Sequence, residues 1–165
     1  MKTITLTGMM GSGKSSCAGL LAKNYNCRLF DVDREIELHA GRSISEIFEN
    51  NGEEFFRNLE KTMILENAQP ENMIIALGGG AFENPQVRKF LLEISTVVYL
   101  KTSAQTIYER IKTDLTRPLL KNNMNIDKIQ SIIQKREYNY LKAYYTVVTD
   151  EKSIEQAVAD IMGVL

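Results

Sequence analysis

The chain has 165 residues, 44% hydrophobic and 25% charged, enough for one compact domain with its own core. Twenty basic side chains against twenty-one acidic ones leave a formal charge of −1, so bulk electrostatics gives no reason to expect a nucleic-acid or membrane partner. Cys17 and Cys27 lack metal-ligand or disulfide-framework spacing and are expected as buried, inert thiols. No apolar run approaches membrane-spanning length, and the first strand starts almost at Met1 with no targeting signal ahead of it, so the cytoplasm is the expected compartment.

Thr3 to Thr7 reads as a buried strand and Ser16 to Lys23 as a helix. Between them lies Gly8-Met-Met-Gly11-Ser-Gly13-Lys14-Ser15, which fits G-x-x-x-x-G-K-[ST] in the strand–loop–helix setting that a Walker A loop requires. The glycines let backbone N–H groups of Gly11, Ser12 and Gly13 turn toward phosphate oxygens. The helix N-terminus, with Ser16 in its first turn, adds partial positive charge. Lys14 reaches the β- and γ-phosphates, and the Ser15 hydroxyl is placed to ligate Mg²⁺. The expected nucleotide is ATP.

Leu29 to Asp31 is a short strand, followed by Asp31-Val-Asp33. If the strand persists, the two carboxylates point the same way, one for Mg²⁺ through water and the other for a substrate hydroxyl. Asp33 is alternatively, or also, the N-cap of a helix from Arg34 to His39. His39, the single histidine, has no nucleophile or ligand spacing and reads as an ordinary helix residue. Ser43-Ile-Ser-Glu46 is a capping box. Arg57 follows Gly52-Glu-Glu-Phe-Phe on another helix, beside Phe56, Leu59 and Met63.

Met73 to Leu77 is a strong strand, and Gly78-Gly79-Gly80 follows its carboxyl end. Three glycines cost backbone entropy unless something needs the space, so they read as a close backbone approach to ligand. No acidic residue ends this strand, so metal support is left to Asp31 or Asp33. Asn84-Pro85 starts the next helix, and Thr96 to Leu100 is the fourth strand. Thr102-Ser-Ala-Gln105 reads as a second capping box, opening a helix that carries Arg110, either on the surface or against the nucleotide base.

The polar stretch from Lys112 to Asn125 is the expected lid (about 112–124). Arg117 within it is placed to fold over the γ-phosphate. Ile126, Ile129, Ile133, Arg136 and Tyr140 share one helical stripe, which turns Arg136 inward, where a cation needs a partner: an internal carboxylate or an anionic substrate. Two arginines meeting at one pocket suit a carboxylate, gripped by guanidinium forks. Tyr145 to Val148 is the fifth strand. Ser153-Ile-Glu-Gln156 caps a last helix with Ile154, Ala157, Val158, Ile161, Met162 and Leu165 inward. The alternation predicts an α/β fold, a parallel sheet with helices on both faces and ligands at the strands' carboxyl ends.

These residues resemble the shikimate kinases. Gly8 to Ser15, Phe30-Asp-Val-Asp33, Gly52-Glu-Glu-Phe-Phe-Arg57, Gly78-Gly-Gly80, Arg117-Pro-Leu-Leu120 and Lys135-Arg136 follow the family's order and spacing from first strand to final helix. The resemblance implies one three-layer P-loop kinase domain over 1–165, with a five-stranded parallel sheet in the order 2-3-1-4-5, an acid-binding region over about 33–60 and a lid. It implies transfer of the ATP γ-phosphoryl group to the 3-hydroxyl of shikimate, in the route to chorismate and the aromatic amino acids, with Mg²⁺, by a monomer.

By the same resemblance Asp33 holds ring hydroxyls and helps deprotonate the acceptor. Arg57 and Arg136 grip the carboxylate, Gly79 with Gly78 and Gly80 contacts the acid, Lys14 and Arg117 serve the phosphates, and Ser15 serves Mg²⁺, with Asp31 through water. Two departures stand out. Tyr138 occupies a position where the family often has proline, and Thr149-Asp150-Glu151-Lys152 replaces a proline- and arginine-bearing loop, which puts adenine contacts there in doubt. A gluconate kinase and a nucleotide-dependent switch are the alternatives to a shikimate-specific enzyme.

Overall fold

A computed structural model describes residues 1–112 and 125–165. The sequence-predicted Arg117 and nearly all of the expected lid lie outside these residues. Five parallel strands pair in the order β2-β3-β1-β4-β5: β1 (Thr3–Thr7), β2 (Arg28–Asp31), β3 (Met73–Ala76), β4 (Ser95–Lys101) and β5 (Tyr145–Val148). Leu6 is central, in register with Ala76 on one side and Val98 on the other.

The helices are α1 (Lys14–Tyr25), α2 (Val32–Ala40), α3 (Ile44–Asn67), α4 (Pro85–Ile94), α5 (Ala104–Ile111), α6 (Ile126–Tyr140) and α7 (Ile154–Val164), with a 3₁₀ turn over Ala81–Glu83. One face of the sheet packs Ile4, Leu6, Ile74, Val98 and Val147 against Cys17, Ala18 and Leu21 of α1 and Val158 and Ile161 of α7. The other face packs Phe30, Ile75, Val97 and Tyr99 under Ile36, Ile47, Phe56, Ile64, Leu91 and Tyr140. A third cluster joins Met9 and Met10 of the glycine loop to Ile107 and Ile111 of α5 and Ile129 and Ile133 of α6.

β1 alternates threonine with aliphatic residues, a pattern that ordinarily marks a half-exposed strand, yet all five residues are buried. Hydrogen bonds reconcile the two: Thr3 Oγ1 donates to the Gln69 carbonyl, and the Thr5 and Ser95 hydroxyls lie 2.7 Å apart. Thr7 Oγ1, at the strand's carboxyl end, has no partner among the described residues.

Four local expectations change. β2 ends at Asp31, whose side chain caps α2 by accepting from Arg34 N–H, so Asp33 sits in the first helical turn and neither extends the strand nor caps the helix. Ser103 rather than Thr102 caps α5, accepting from Thr106 N–H, because Thr102 is buried with its hydroxyl 2.6 Å from that of Thr149. The outer members of the two stripes, Ile126, Ile154, Met162 and Leu165, are exposed, all four lying in the first or last turns of their helices or just beyond them. Cys17 is buried, but Cys27 is only partly so.

α3 contains a break the sequence reading did not place. Gly52 has φ 81° and ψ 171°, a region essentially closed to other residues, and divides the helix into two arms. Phe48 of the first arm and Phe56 of the second meet across the bend, with ring centroids 4.8 Å apart.

Candidate active site

The glycine loop fills the carboxyl end of β1. Gly8, Gly11 and Gly13 all have positive φ, and Gly13 is the left-handed cap from which α1 begins at Lys14. Lys14 is buried, with Nζ 2.9 Å from the carbonyl oxygens of both Gly8 and Met9. Ser12 Oγ is buried without a protein partner among the described residues, as is Thr7 Oγ1 just before the loop. Orphaned buried hydroxyls are costly unless a ligand completes them.

Beside the loop opens a cavity of about 460 Å³ lined by Ser12, Gly13, Ser16, Arg110, Thr149 and Lys152, among others. Arg110 is not a free surface residue: Nη1 donates to the Gly11 carbonyl and Nη2 to that of Thr149. Thr149 Oγ1 faces the Ser12 carbonyl at 3.4 Å, and Asp150 accepts from both the N–H and the hydroxyl of Ser103. Burial opposes the charge on Asp150, but the Ser103 and Thr106 bonds and nearby Arg110 hold its carboxyl below the usual range. The loop after β5 is thus tied to the P-loop through Thr149 and Arg110, and to the start of α5 through Asp150.

The candidate acid-binding residues gather around the ends of β2 and β3. A Cβ on Gly78 would collide with Glu60 Oε1 and lie 2.7 Å from Asp33 Oδ1, so two carboxylates flank that glycine. A Cβ on Gly80 would lie 2.7 to 2.8 Å from the Arg57 guanidinium, which covers the backbone there. Arg57 Nη1 pairs with Glu60 Oε2 at 2.7 Å and Nε with Glu53 at 3.5 Å, leaving Nη2 against Gly80. An internal carboxylate, the alternative weighed for Arg136, is therefore found as the direct partner of Arg57 instead.

Glu60 is the residue that sequence reasoning missed. It is 2% exposed, and Oε1 has no partner among the described residues. Burial pushes its carboxyl up to about 7, against the pull of Arg57 and with a further push from Asp33. Its signal was available: an acid three residues beyond Arg57 on a helix is its neighbour.

Arg136 points inward as its stripe requires, but its protein partner is a carbonyl, with Nη1 3.1 Å from Gly79 O. Arg57, Glu60, Gly80 and Arg136 line a second cavity, of about 350 Å³, together with Glu53 and Glu83. Gly79 also packs against the P-loop, where a Cβ would lie 3.1 Å from Met10 N. One glycine thus links the inward arginine to the loop whose Met9 carbonyl holds Lys14. The glycine loop and the second cluster are contiguous.

The shikimate kinase family profile matches residues 10–165. The chain belongs to the shikimate kinase family. A shikimate kinase from Persephonella marina is 39% identical over 163 residues, covering 99% of this chain and 98% of its own length. The structure of a shikimate kinase from Acinetobacter baumannii, determined in complex with shikimate, superposes with a TM-score of 0.95 at 32% identity, covering 99% of this chain and 92% of that one. A shikimate kinase from Aquifex aeolicus gives a TM-score of 0.84 at 36% identity, over 97% of this chain and 94% of that one. The fold is accordingly the P-loop fold of the shikimate kinases, and the activity is that of a small-molecule kinase.

The donor set suits Mg²⁺. The Ser15 hydroxyl and the Asp31 carboxylate are hard oxygen donors of the kind Mg²⁺ takes, and in the P-loop and at the strand end just before it the buried Ser12 and Thr7 hydroxyls have no partner among the described residues. Among the described residues no group of three or more histidine, cysteine or acidic side chains forms an all-protein metal cage. No helix among the described residues is long and apolar enough to cross a membrane.

Proposed function

We propose that this kinase domain, residues 1–165, binds ATP over Gly11 to Ser16 with Arg110 at the cavity edge. Shikimate sits between Asp33 and the Arg57–Arg136 pair. Asp33 Oδ1, beside Gly78, orients the 3-hydroxyl and accepts its proton as the oxygen attacks the γ-phosphorus in line with the departing ADP oxygen. Arg57 and Arg136 take the carboxylate from two sides, and the Gly79 and Gly80 amides approach the acid where no side chain intervenes. Lys14 leaves its two carbonyl partners for the β- and γ-phosphates, stabilising the charge that develops there. Mg²⁺, held by Ser15 and through water by Asp31, supplies charge neutralisation on the phosphates. Arg117, outside the described residues, is assigned to the transferring phosphoryl group. The protein acts as a cytoplasmic monomer.

The observation that carries this reading is the contiguity through Gly79, with Arg136 on its carbonyl and the P-loop backbone against its Cα. ADP release with Mg²⁺ and ATP, measured against shikimate and gluconate, tests it. Turnover with shikimate alone is expected, and Arg136→Ala should raise the shikimate KM at least about tenfold, the scale of a charge-assisted bond. Turnover with gluconate alone, or an unchanged KM in the variant, would refute the assignment.

A further inference from the structure

Gly79 carries two side-chain donors on one carbonyl. Arg136 Nη1 is one; the other is the Tyr140 hydroxyl, 2.5 Å from the same oxygen. Arg136 and Tyr140 are four residues apart and so share a face of α6. A carbonyl oxygen has two lone pairs, and here both are engaged. Tyr140 is fully buried, and its ring stacks on Tyr99 of β4 with centroids 5.0 Å apart. Burial, opposed by Arg136, pushes its hydroxyl up to about 12, so it remains a protonated donor across the working range.

The peptide between Gly79 and Gly80 is planar, so its N–H points opposite to its carbonyl. Pinning the carbonyl onto α6 turns the Gly80 N–H away from α6. No protein acceptor receives the N–H of Gly79 or Gly80 among the described residues. Three consecutive glycines have little intrinsic preference for one orientation of that plane, so something outside the backbone must set it.

We infer that Tyr140 is a positioning residue for acid binding: its hydroxyl fixes the Gly79–Gly80 peptide and, through their shared oxygen, the guanidinium of Arg136. It touches neither substrate nor reacting atoms. The inference rests on the assignment of Arg136 and the glycine amides to the shikimate carboxylate. Tyr140→Phe removes the hydroxyl and keeps the ring on Tyr99. The control is Tyr144→Phe, which removes a hydroxyl that donates to the Leu92 carbonyl at 2.7 Å on an exposed part of the chain.

Steady-state kinetics with both substrates varied, plus a thermal melt of each variant, decide the matter. Tyr140→Phe should raise the shikimate KM about 3- to 10-fold, the weight of one neutral hydrogen bond, with kcat and the ATP KM within about twofold of the parent. Tyr144→Phe should leave all three unchanged. A lowered melting temperature in Tyr140→Phe with an unaltered shikimate KM would mean that the hydroxyl only holds the core together, and would overturn the inference. Equal KM shifts in both variants would overturn it too, by showing general loosening. If Arg136→Ala raises the KM while Tyr140→Phe does not, the carboxylate assignment stands and the tyrosine role falls. If neither does, both fall.

Discussion

The two halves of the active site are built by different means. The half assigned to phosphate is one run of chain, Gly8 to Ser16, in which backbone groups and a helix N-terminus form the cradle, tied to the β5 loop by Arg110 and Thr149. The proposed acid half is drawn from four separated segments, at Asp33, Arg57 with Glu60, Gly78 to Gly80, and Arg136 with Tyr140. A cradle of amides needs only its own torsions. A cluster of buried charges needs partners that hold each side chain, and these partners are absent from the motif.

The largest expected effect falls on the acid half. Asp33→Asn keeps the shape and removes the base, so kcat should fall about 10²- to 10⁴-fold with the shikimate KM changed far less. A loss confined to KM, in single-turnover and steady-state rates alike, would demote Asp33 to a binding group.

Glycine replacements sharpen the contrast. Gly78→Ala drives a methyl group between Glu60 and Asp33, and misplacing the base should cost about 10²-fold in kcat/KM for shikimate. Gly19→Ala, in α1 behind the phosphate cradle, meets nothing within 4 Å and should stabilise the fold by about 0.5–1 kcal/mol with kinetics unchanged. Similar outcomes for both would mean that the acid half is not the more tightly packed.

Glu60→Gln tests the buried partner. Losing the ion pair to Arg57 should raise the shikimate KM about tenfold, as for a charge-assisted bond. Stability gives a second reading. The Glu60 carboxyl rises from 4.5 unfolded to about 7 folded, so between those values the folded state holds the extra proton. Its contribution to stability is full below pH 4.5 and is lost as pH climbs through 7. Urea midpoints of Glu60→Gln should therefore drop less between pH 5 and 8 than those of the parent (a window around the folded value). Parallel curves would place the titration elsewhere.

The smallest effect is expected on the nucleotide side. Thr149→Val leaves the Thr102 hydroxyl without its 2.6 Å partner and should destabilise by about 1 kcal/mol. The ATP KM should rise no more than about threefold, and the shikimate KM should not move. A larger rise would make the β5 loop a recognition element rather than a brace.

The same contrast explains what the sequence disclosed. The P-loop, the Ser43, Asn84 and Ser153 caps and the inward turn of Arg136 depend on local spacing and appear as read, while the strand order, implied by the family resemblance, is also found. The misread positions depend on tertiary demand. Asp31 took the cap that Asp33 was given because β2 stops there. Thr102 lost its cap to Ser103 because Thr149 draws its hydroxyl inward. Tyr140 read as an ordinary stripe residue, because no local pattern shows that its hydroxyl meets a glycine carbonyl 61 positions earlier.

The bend at Gly52 has a practical consequence. Arg57 and Glu60 lie downstream of it, on the arm that leads into β3, while residues 44–51 form a separate arm anchored by Ile47 in the core, by Ile44 N–H on Glu37 and by the Phe48–Phe56 ring contact. Substitutions at exposed positions of the upstream arm should therefore leave the Arg57–Glu60 pair in place, whereas any side chain at position 52 would strain the bend and shift that pair.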